Sequence, residues 1–313
     1  MPARPIAALA GGVGAARFLA GLVRVVPPED LSVIVNTGDD RDFFGLRVCP
    51  DLDTVMYTLA GEVDPDQGWG RRGESFHCLE SLRRLGGDSW FRLGDRDLAV
   101  HVLRTQRLRQ GARLDEVTAE LCAAFGVRAQ LLPMTCDPSA TLVVRQDGTR
   151  TDFQEYLVRD GAPDDVAAVD LSAAAAATPA PGVMEALEGA STLLICPSNP
   201  VVSIGTILQL PGVRALLERR RDAVGVSPII GGRPVKGPAD RLLPCVGAEV
   251  SALGVARLYR DLCAGLVIDR ADAGLATPIE ELGLRVRVEE TLMRDSSVAM
   301  RLAGAALELA SPA

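Results

Sequence analysis

Aromatic residues make up only 4% of the chain, and histidine occurs twice, as His77 and His101. The core must therefore be packed mainly from Leu, Val and Ala. Neither histidine has a partner motif, so core or surface roles suit both better than catalysis. The seven cysteines (Cys49, Cys78, Cys122, Cys136, Cys196, Cys245 and Cys263) never form a Cys-x-x-Cys pair. Such spacing indicates neither a zinc site nor a disulfide framework. They read as small core hydrophobes in a reducing compartment. Basic residues are outnumbered, 33 Lys and Arg against 41 Asp and Glu, and the net charge of −8 argues against a nucleic-acid binder. No run of about 18 apolar residues occurs, and Met1–Pro5 leads into the first apolar run without a signal-type h-region. These absences predict a cytoplasmic protein that spans no membrane.

What is present suffices for a sizeable core. The chain has 313 residues, 48% of them hydrophobic, which suits one large domain or one domain with an insertion. A short apolar run, Ile6 to Ala10, meets Gly11, Gly12 and Gly14 and then an amphipathic stretch over 15–26. This is the pattern of a strand, a tight turn and a helix start. Glycine lets the backbone bend sharply and approach a ligand, and free N–H groups at a helix start hold phosphate. The dinucleotide fingerprint fails, because Arg17 stands where its third glycine belongs, and no Gly-Lys-Ser/Thr follows to make a P-loop. A ligand-free tight turn is the plain reading; Arg17, one turn into the helix, favours an anion.

Residues 31–36 read as a second buried strand, which makes a βαβ unit and implies a parallel sheet. A helix is expected over 50–61, with Asp51 as its N-cap, and three more over 74–85, 97–109 and 114–125. A strand is expected over 127–133 and a hairpin over 141–156, turning at Asp147-Gly148. The Ala-rich stretch 166–181 reads as a linker or a short strand. Strand and helix patterns then alternate again: strands over 191–196, 223–227, 265–269 and 284–288, with helices over 200–221, 250–262 and 297–309. The fold class expected is α/β: a Rossmann-like doubly wound, mostly parallel sheet with a helical and β-hairpin insertion. It forms a single domain over 1–313, with core halves of about 1–66 and 186–313 around a lobe of about 67–185.

In such sheets ligands sit beyond the carboxyl ends of the strands. Several polar groups fall there. Asp39 and Asp40 end the second strand, and Asp51 and Asp53 open the next helix. Carboxylates that converge beside a phosphate site provide the hard oxygen ligands of Mg²⁺, although a cap and a solvated turn would use the same residues. Ser198 and Asn199, in Pro197-Ser-Asn-Pro200, can hydrogen-bond a base or phosphate, or merely stabilise a turn. Gly231, Gly232, Arg233 and Lys236 follow another strand and can hold an anion. Arg71, Arg72 and Arg96 lie in glycine-flanked or loop settings, and Arg96 stands between Asp95 and Asp97. No Gly-x-Ser-x-Gly or Cys/His motif points to covalent catalysis.

Taken in order, Ala10-Gly-Gly-Val-Gly-Ala-Ala-Arg-Phe18, Asn36-Thr-Gly-Asp-Asp40, Pro50-Asp-Leu-Asp-Thr-Val-Met-Tyr57, Leu93-Gly-Asp-Arg-Asp97, Leu132-Pro-Met134, Pro197-Ser-Asn-Pro200, Ser227-Pro-Ile-Ile-Gly-Gly232 and Gly237-Pro238 resemble the 2-phospho-L-lactate transferase family of coenzyme F420 biosynthesis. The likeness runs from about Ala8 to Met293. It implies a Mg²⁺-dependent homodimer with small-molecule substrates. In the implied reaction the ribityl hydroxyl of a deazaflavin, 7,8-didemethyl-8-hydroxy-5-deazariboflavin, attacks a guanosine-diphospho-linked three-carbon acid. GMP leaves and a phosphodiester forms. The donor's acid can be lactyl, enolpyruvyl or phosphoglyceryl. The resemblance maps deazaflavin contacts to Asp53, Asp95 and Arg96. On this reading Gly11, Gly12, Gly14, Arg17, Ser198, Asn199, Gly231, Gly232, Arg233 and Lys236 hold the nucleotide and its phosphates. Asp39, Asp40 and Asp53 hold the metal, and Asp53, Asp51 and Lys236 serve catalysis, with Asp53 the first choice to orient or deprotonate the hydroxyl. Two other readings stand beside it. One is a non-catalytic regulator of a related branch that binds nucleotide sugars or dinucleotides. The other is an NAD-dependent dehydrogenase, against which Arg17 and the lack of a catalytic His or Tyr motif both count.

Overall fold

The structure is a computed structural model, and it describes residues 5–311. Along the chain, β1 (Ile6–Ala10) feeds α1 (Gly12–Leu22), and β2 (Leu31–Val35) returns beside β1. A small hairpin, β3 (Arg41–Phe43) and β4 (Leu46–Val48), precedes α2 (Pro50–Leu59). Next come α3 (His77–Arg84), α4 (Asp95–Arg109), α5 (Leu114–Ala124) and β5 (Gln130–Pro133). A separate antiparallel sheet holds β6 (Leu142–Arg145), β7 (Arg150–Asp152) and β8 (Val166–Asp170). After α6 (Ser172–Ala176) and α7 (Val183–Gly189) come β9 (Thr192–Ile195), α8 (Ile204–Gln209), α9 (Val213–Arg220) and β10 (Ala223–Val226). A two-residue ribbon, β11 (Ile229–Ile230) with β12 (Arg233–Pro234), leads to α10 (Ala239–Leu242) and α11 (Ala252–Tyr259). The chain continues through β13 (Cys263–Asp269), α12 (Ala276–Glu280), β14 (Arg285–Glu289) and α13 (Ser296–Ala310).

Seven of these strands form one all-parallel sheet in the order β14-β13-β10-β9-β1-β2-β5. This is the doubly wound arrangement expected from the alternation of elements. The strand order reverses between β1 and β9, and a crevice opens there beyond the carboxyl ends. The side chains of β1 explain why both faces are covered. Ile6, Ala8 and Ala10 enter one core with Phe18, Leu19, Leu22 and Leu302; Ala7 and Leu9 enter the other with Ile207, Leu216 and Leu266. A strand buried on both faces reads as an unbroken apolar run. On the first face α1 packs closely on α13: a Cβ at Gly21 would lie 2.4 Å from the Ala299 carbonyl. No helix among the described residues is long and apolar enough to cross a membrane.

The structure departs from the sequence pattern in several places, one being that α2 starts at Pro50 after Cys49, so Asp51 lies in its first turn and is not the N-cap. The first helix starts at Gly12 rather than at residue 15, so the glycine turn is itself the helix start. The helix expected over 200–221 is split into α8 and α9 by Pro211, which cannot continue a helix, and by Gly212 at φ 84°. The hairpin turns at Asp147-Gly148 as expected, but β8, from the Ala-rich stretch, adds a third strand to it. The segment 67–185 is also not one lobe set apart from the sheet, because β5 within it pairs with β2 as an edge strand.

Candidate active site

The crevice at the sheet's reversal point is a cleft of about 530 Å³, lined by the turn after β1, the loops after β9 and β10, and faces of α2 and α4. Its floor is the glycine turn. The Gly11 N–H donates to Ser198 Oγ at 3.0 Å, which ties the β1 and β9 loops together. A Cβ at Gly14 would lie 2.4 Å from the Pro197 carbonyl oxygen, so only glycine fits that crossing. The N-cap residue of α1, Gly11, has no side chain to cap the helix, and the first turn of α1 borders the cleft. Arg17 and Lys236 line the same end. Lys236 Nζ donates to the Gln67 carbonyl at 2.7 Å, and partial desolvation together with the Arg17 charge pulls its pKa down. Asn199 also lines the cleft, with its Oδ1 accepting from the Val201 and Val202 N–H groups.

Beside the glycine turn sits a carboxylate pair. Asn36 Nδ2 donates to Asp51 Oδ2 at 2.9 Å and to Asp39 Oδ1 at 3.3 Å, and Gln154 Nε2 donates to Asp39 Oδ2 at 3.1 Å. Both carboxylates are buried, Asp39 at 7% and Asp51 at 6% exposure. Burial and the Asp51 charge push Asp39 well above the usual carboxylate range. Burial pushes Asp51 up to about 6, against the hydrogen bonds from Asn36 and the Gly12 amide. Among the described residues no cation offsets either charge. Two hard, buried, uncompensated oxygen donors beside the glycine turn fit a Mg²⁺ ion. Asp40, which the sequence groups with them, lies apart: it faces Cys49, Arg104 and Arg47, its Oδ1 is buried without a partner, and burial pushes it up to about 8.

A second polar network lies on α2 and α4. The Arg104 guanidinium, 2% exposed, forks onto both oxygens of Asp53, with Nη1 3.0 Å from Oδ2. Arg104 Nη1 is also 3.2 Å from His101 Nδ1, while His101 Nε2 is 3.4 Å from Asp97 Oδ1. Tyr57 donates its hydroxyl to Asp97 Oδ1 at 2.6 Å. Asp53, Asp97 and His101 bring ligand-type atoms within 4.8 Å of one another, but the guanidinium already supplies the cation there. Asp53 is therefore not grouped with Asp39, as the sequence expectation has it; it is an ion-pair partner. The network escapes a search for linear motifs, although Asp97, His101 and Arg104 are four and then three residues apart and share one helix face.

Part of the cleft lining is apolar and aromatic. Phe43 stacks on Phe91 with centroids 4.0 Å apart and meets Trp90 edge-on at 5.2 Å. Trp90, Phe91 and Phe153 line the cleft, as does Arg92, whose guanidinium carbon lies 4.4 Å from the Phe76 ring centroid. With so few rings in the chain, their gathering at one wall is informative, and sequence periodicity gave no sign of it.

Several expected site residues do other work. The Asp95 carboxylate accepts from the Ser75 hydroxyl and the His77 and Cys78 N–H groups, which caps α3. Arg96 donates to the Arg72 carbonyl at 2.8 Å. Gly231 donates its N–H to Asp272, and Gly231, Gly232 and Arg233 are exposed and do not line the cleft. Arg71 pairs with Glu62 and lies over the Phe125 ring.

Comparison with known proteins adds a lineage to this geometry. The family model described as 2-phospho-L-lactate transferase CofD matches residues 6–297. A phosphoenolpyruvate transferase of Streptomyces griseus is 48% identical over 311 residues, covering 97% of this chain and 98% of its own. A 2-phospho-L-lactate transferase of Methanosarcina mazei is 39% identical over 293 residues, covering 94% of this chain and 96% of its own. Among solved structures, a UPF0052-family protein of Bacillus halodurans covers 98% of this chain and 99% of its own with a TM-score of 0.66. Its identity is 16%, a likeness of fold alone.

Proposed function

The chain belongs to the 2-phospho-L-lactate transferase family, and from that premise we propose that it acts in coenzyme F420 biosynthesis. It transfers a phospho-three-carbon acid from a guanosine-diphospho-linked donor to the ribityl hydroxyl of the deazaflavin and releases GMP. The acid is enolpyruvyl on this reading, because relatives named phosphoenolpyruvate transferase reach 48% identity and those named 2-phospho-L-lactate transferase 39–40%. The supporting observation is that one cleft brings together the glycine turn, an uncompensated carboxylate pair and the rings of Trp90, Phe91 and Phe153.

In-line attack at phosphorus requires the diphosphate to be held and its developing charge to be neutralised. The glycine turn, Arg17 and Lys236 hold it. Asp39 and Asp51 would hold Mg²⁺, which supplies further charge neutralisation. The wall of Trp90, Phe91 and Phe153 takes the deazaflavin ring. Incubation with the deazaflavin, Mg²⁺ and each of the three guanylated donors tests the reading. GMP release is expected, fastest with the enolpyruvyl donor. No release with any donor would leave the regulatory binder as the better account. The family resemblance also implies a cytoplasmic homodimer, which cell fractionation and sedimentation equilibrium check.

A further inference from the structure

Phosphodiester formation frees a proton from the attacking hydroxyl, and four carboxylates line the cleft: Asp39, Asp51, Asp53 and Asp97. Asp39 and Asp51 form the pair suited to a divalent cation. Asp53 offers both oxygens to the Arg104 fork, and its side chain is 6% exposed. A carboxylate held in that way has few lone pairs left for a substrate. Asp97 differs on each count. Its Oδ1 takes the Tyr57 hydroxyl at 2.6 Å and faces His101 Nε2 at 3.4 Å, whereas its Oδ2 accepts no hydrogen bond among the described residues. Its side chain is 13% exposed, twice as open as that of Asp53. The backbone is fixed as well, because the Asp97 N–H donates to Glu74 Oε1 at 2.7 Å. The aromatic wall at Trp90 and Phe91 lies on the segment that runs directly into α4, so ring site and carboxylate are neighbours in the fold.

We propose that Asp97 is the catalytic base of the transfer: Oδ2 takes the proton of the attacking hydroxyl while the Tyr57 hydroxyl holds Oδ1 and His101 Nε2 faces it. This deepens the transferase reading above and rests on it. In the step, the acceptor O–H bond breaks and its proton passes to Asp97. The hydroxyl oxygen bonds to the phosphorus that carries the three-carbon acid. The bond from that phosphorus to the bridging oxygen breaks, and its electron pair leaves with GMP. Asp97 then returns the proton to water in the opened cleft. Tyr57 and His101 are positioning residues. Burial alone would raise the Asp97 pKa, but the neighbouring His101 and the Tyr57 hydroxyl keep it below the usual carboxylate range. A weak base suffices where the transition state is loose, as for the aspartate that accepts the substrate hydroxyl proton in protein kinases.

The experiment compares wild type with Asp97→Asn, an isosteric change that leaves an acceptor for Tyr57. The readouts are GMP release, deazaflavin affinity by fluorescence titration without donor, and melting temperature. The expected result is a fall in kcat of about 10²–10⁴-fold, with deazaflavin affinity within about threefold and melting little changed. Turnover of D97N within about tenfold of wild type overturns the proposal, and so does an affinity loss that matches the kcat loss. Should D97N not fold, Tyr57→Phe carries the test. Removing one holder of Oδ1 lowers kcat about tenfold and leaves affinity intact, and an unchanged kcat overturns the proposal. A wild-type protein that releases no GMP overturns the transferase reading itself, and an active wild type with an active D97N overturns this assignment alone.

Discussion

Asp39 and Asp51 share a single amide at Asn36 and have no cation of their own, so each raises the other's cost of ionisation. Replacing Asp51 with Asn removes a buried like charge and keeps the volume. D51N should therefore melt higher than wild type without Mg²⁺, by about 1 kcal/mol of stability, yet lose at least about 100-fold in turnover. Parallel melts and GMP assays check both halves, and a D51N protein that is less stable in EDTA would contradict the electrostatic account. Lys236, the only lysine in the chain, is held by one carbonyl and sits beside Arg17. K236A should weaken donor binding about tenfold or more with little change in melting, measured by calorimetric titration with GDP. At this scale the sequence was legible in local backbone geometry, as in the tight strand-to-helix turn at Gly11 to Gly14. It was misleading at Asp53, because the partner that occupies it, Arg104, lies on another helix and carries no motif.

Among the elements, α3 and α4 cap each other. Asp95, in the first turn of α4, binds N–H groups at the start of α3, while Glu74, just before α3, accepts from the Arg96 and Asp97 N–H groups at 2.8 and 2.7 Å. The Gly94–Asp97 stretch therefore reads from sequence as a charged ligand loop but is a helix start in which Asp95 and Arg96 bind backbone groups and only the Asp97 carboxylate faces the cleft. Losing either cap should cost about 1 kcal/mol. The two losses separate in function: Glu74→Ala also frees the first turn that carries Asp97 and should lower kcat, whereas Asp95→Ala should leave kcat near wild type. Urea melts and steady-state assays distinguish them. Strands and helices with strong local patterns were legible, and the break at Pro211-Gly212 follows from two residues. That β5 joins the central sheet was not legible, because an apolar strand does not state which strand it pairs with; its pairing with β2 appears only in the assembled sheet.

For the whole molecule, the raised carboxyls set the pH dependence of stability. Asp51 has its folded pKa raised from 3.8 to about 6, and Asp40 from 3.8 to about 8. A carboxyl raised on folding takes its proton first in the folded state, so acidification favours folding and rising pH through those values disfavours it. Lowered carboxyls such as Asp95 and Asp269 act the other way, but only as the pH approaches their unfolded value of 3.8. The Mg²⁺-free protein should thus melt on the order of 3 °C higher at pH 6 than at pH 8, and calorimetry across that range checks it. Added Mg²⁺ should shrink the difference, since a cation on Asp39 and Asp51 favours their ionised forms.

The packing of α1 on α13 also has a consequence in time. A ribosome delivers the glycine turn long before the surface that clamps its helix, around Ala299. During synthesis the apolar face of α1 waits without its final cover, and β1 waits for β9. The glycine turn is thus made early and its helix locked only after α13 has followed. A chain stalled before α13 should carry every residue of the cleft and still fail to retain nucleotide.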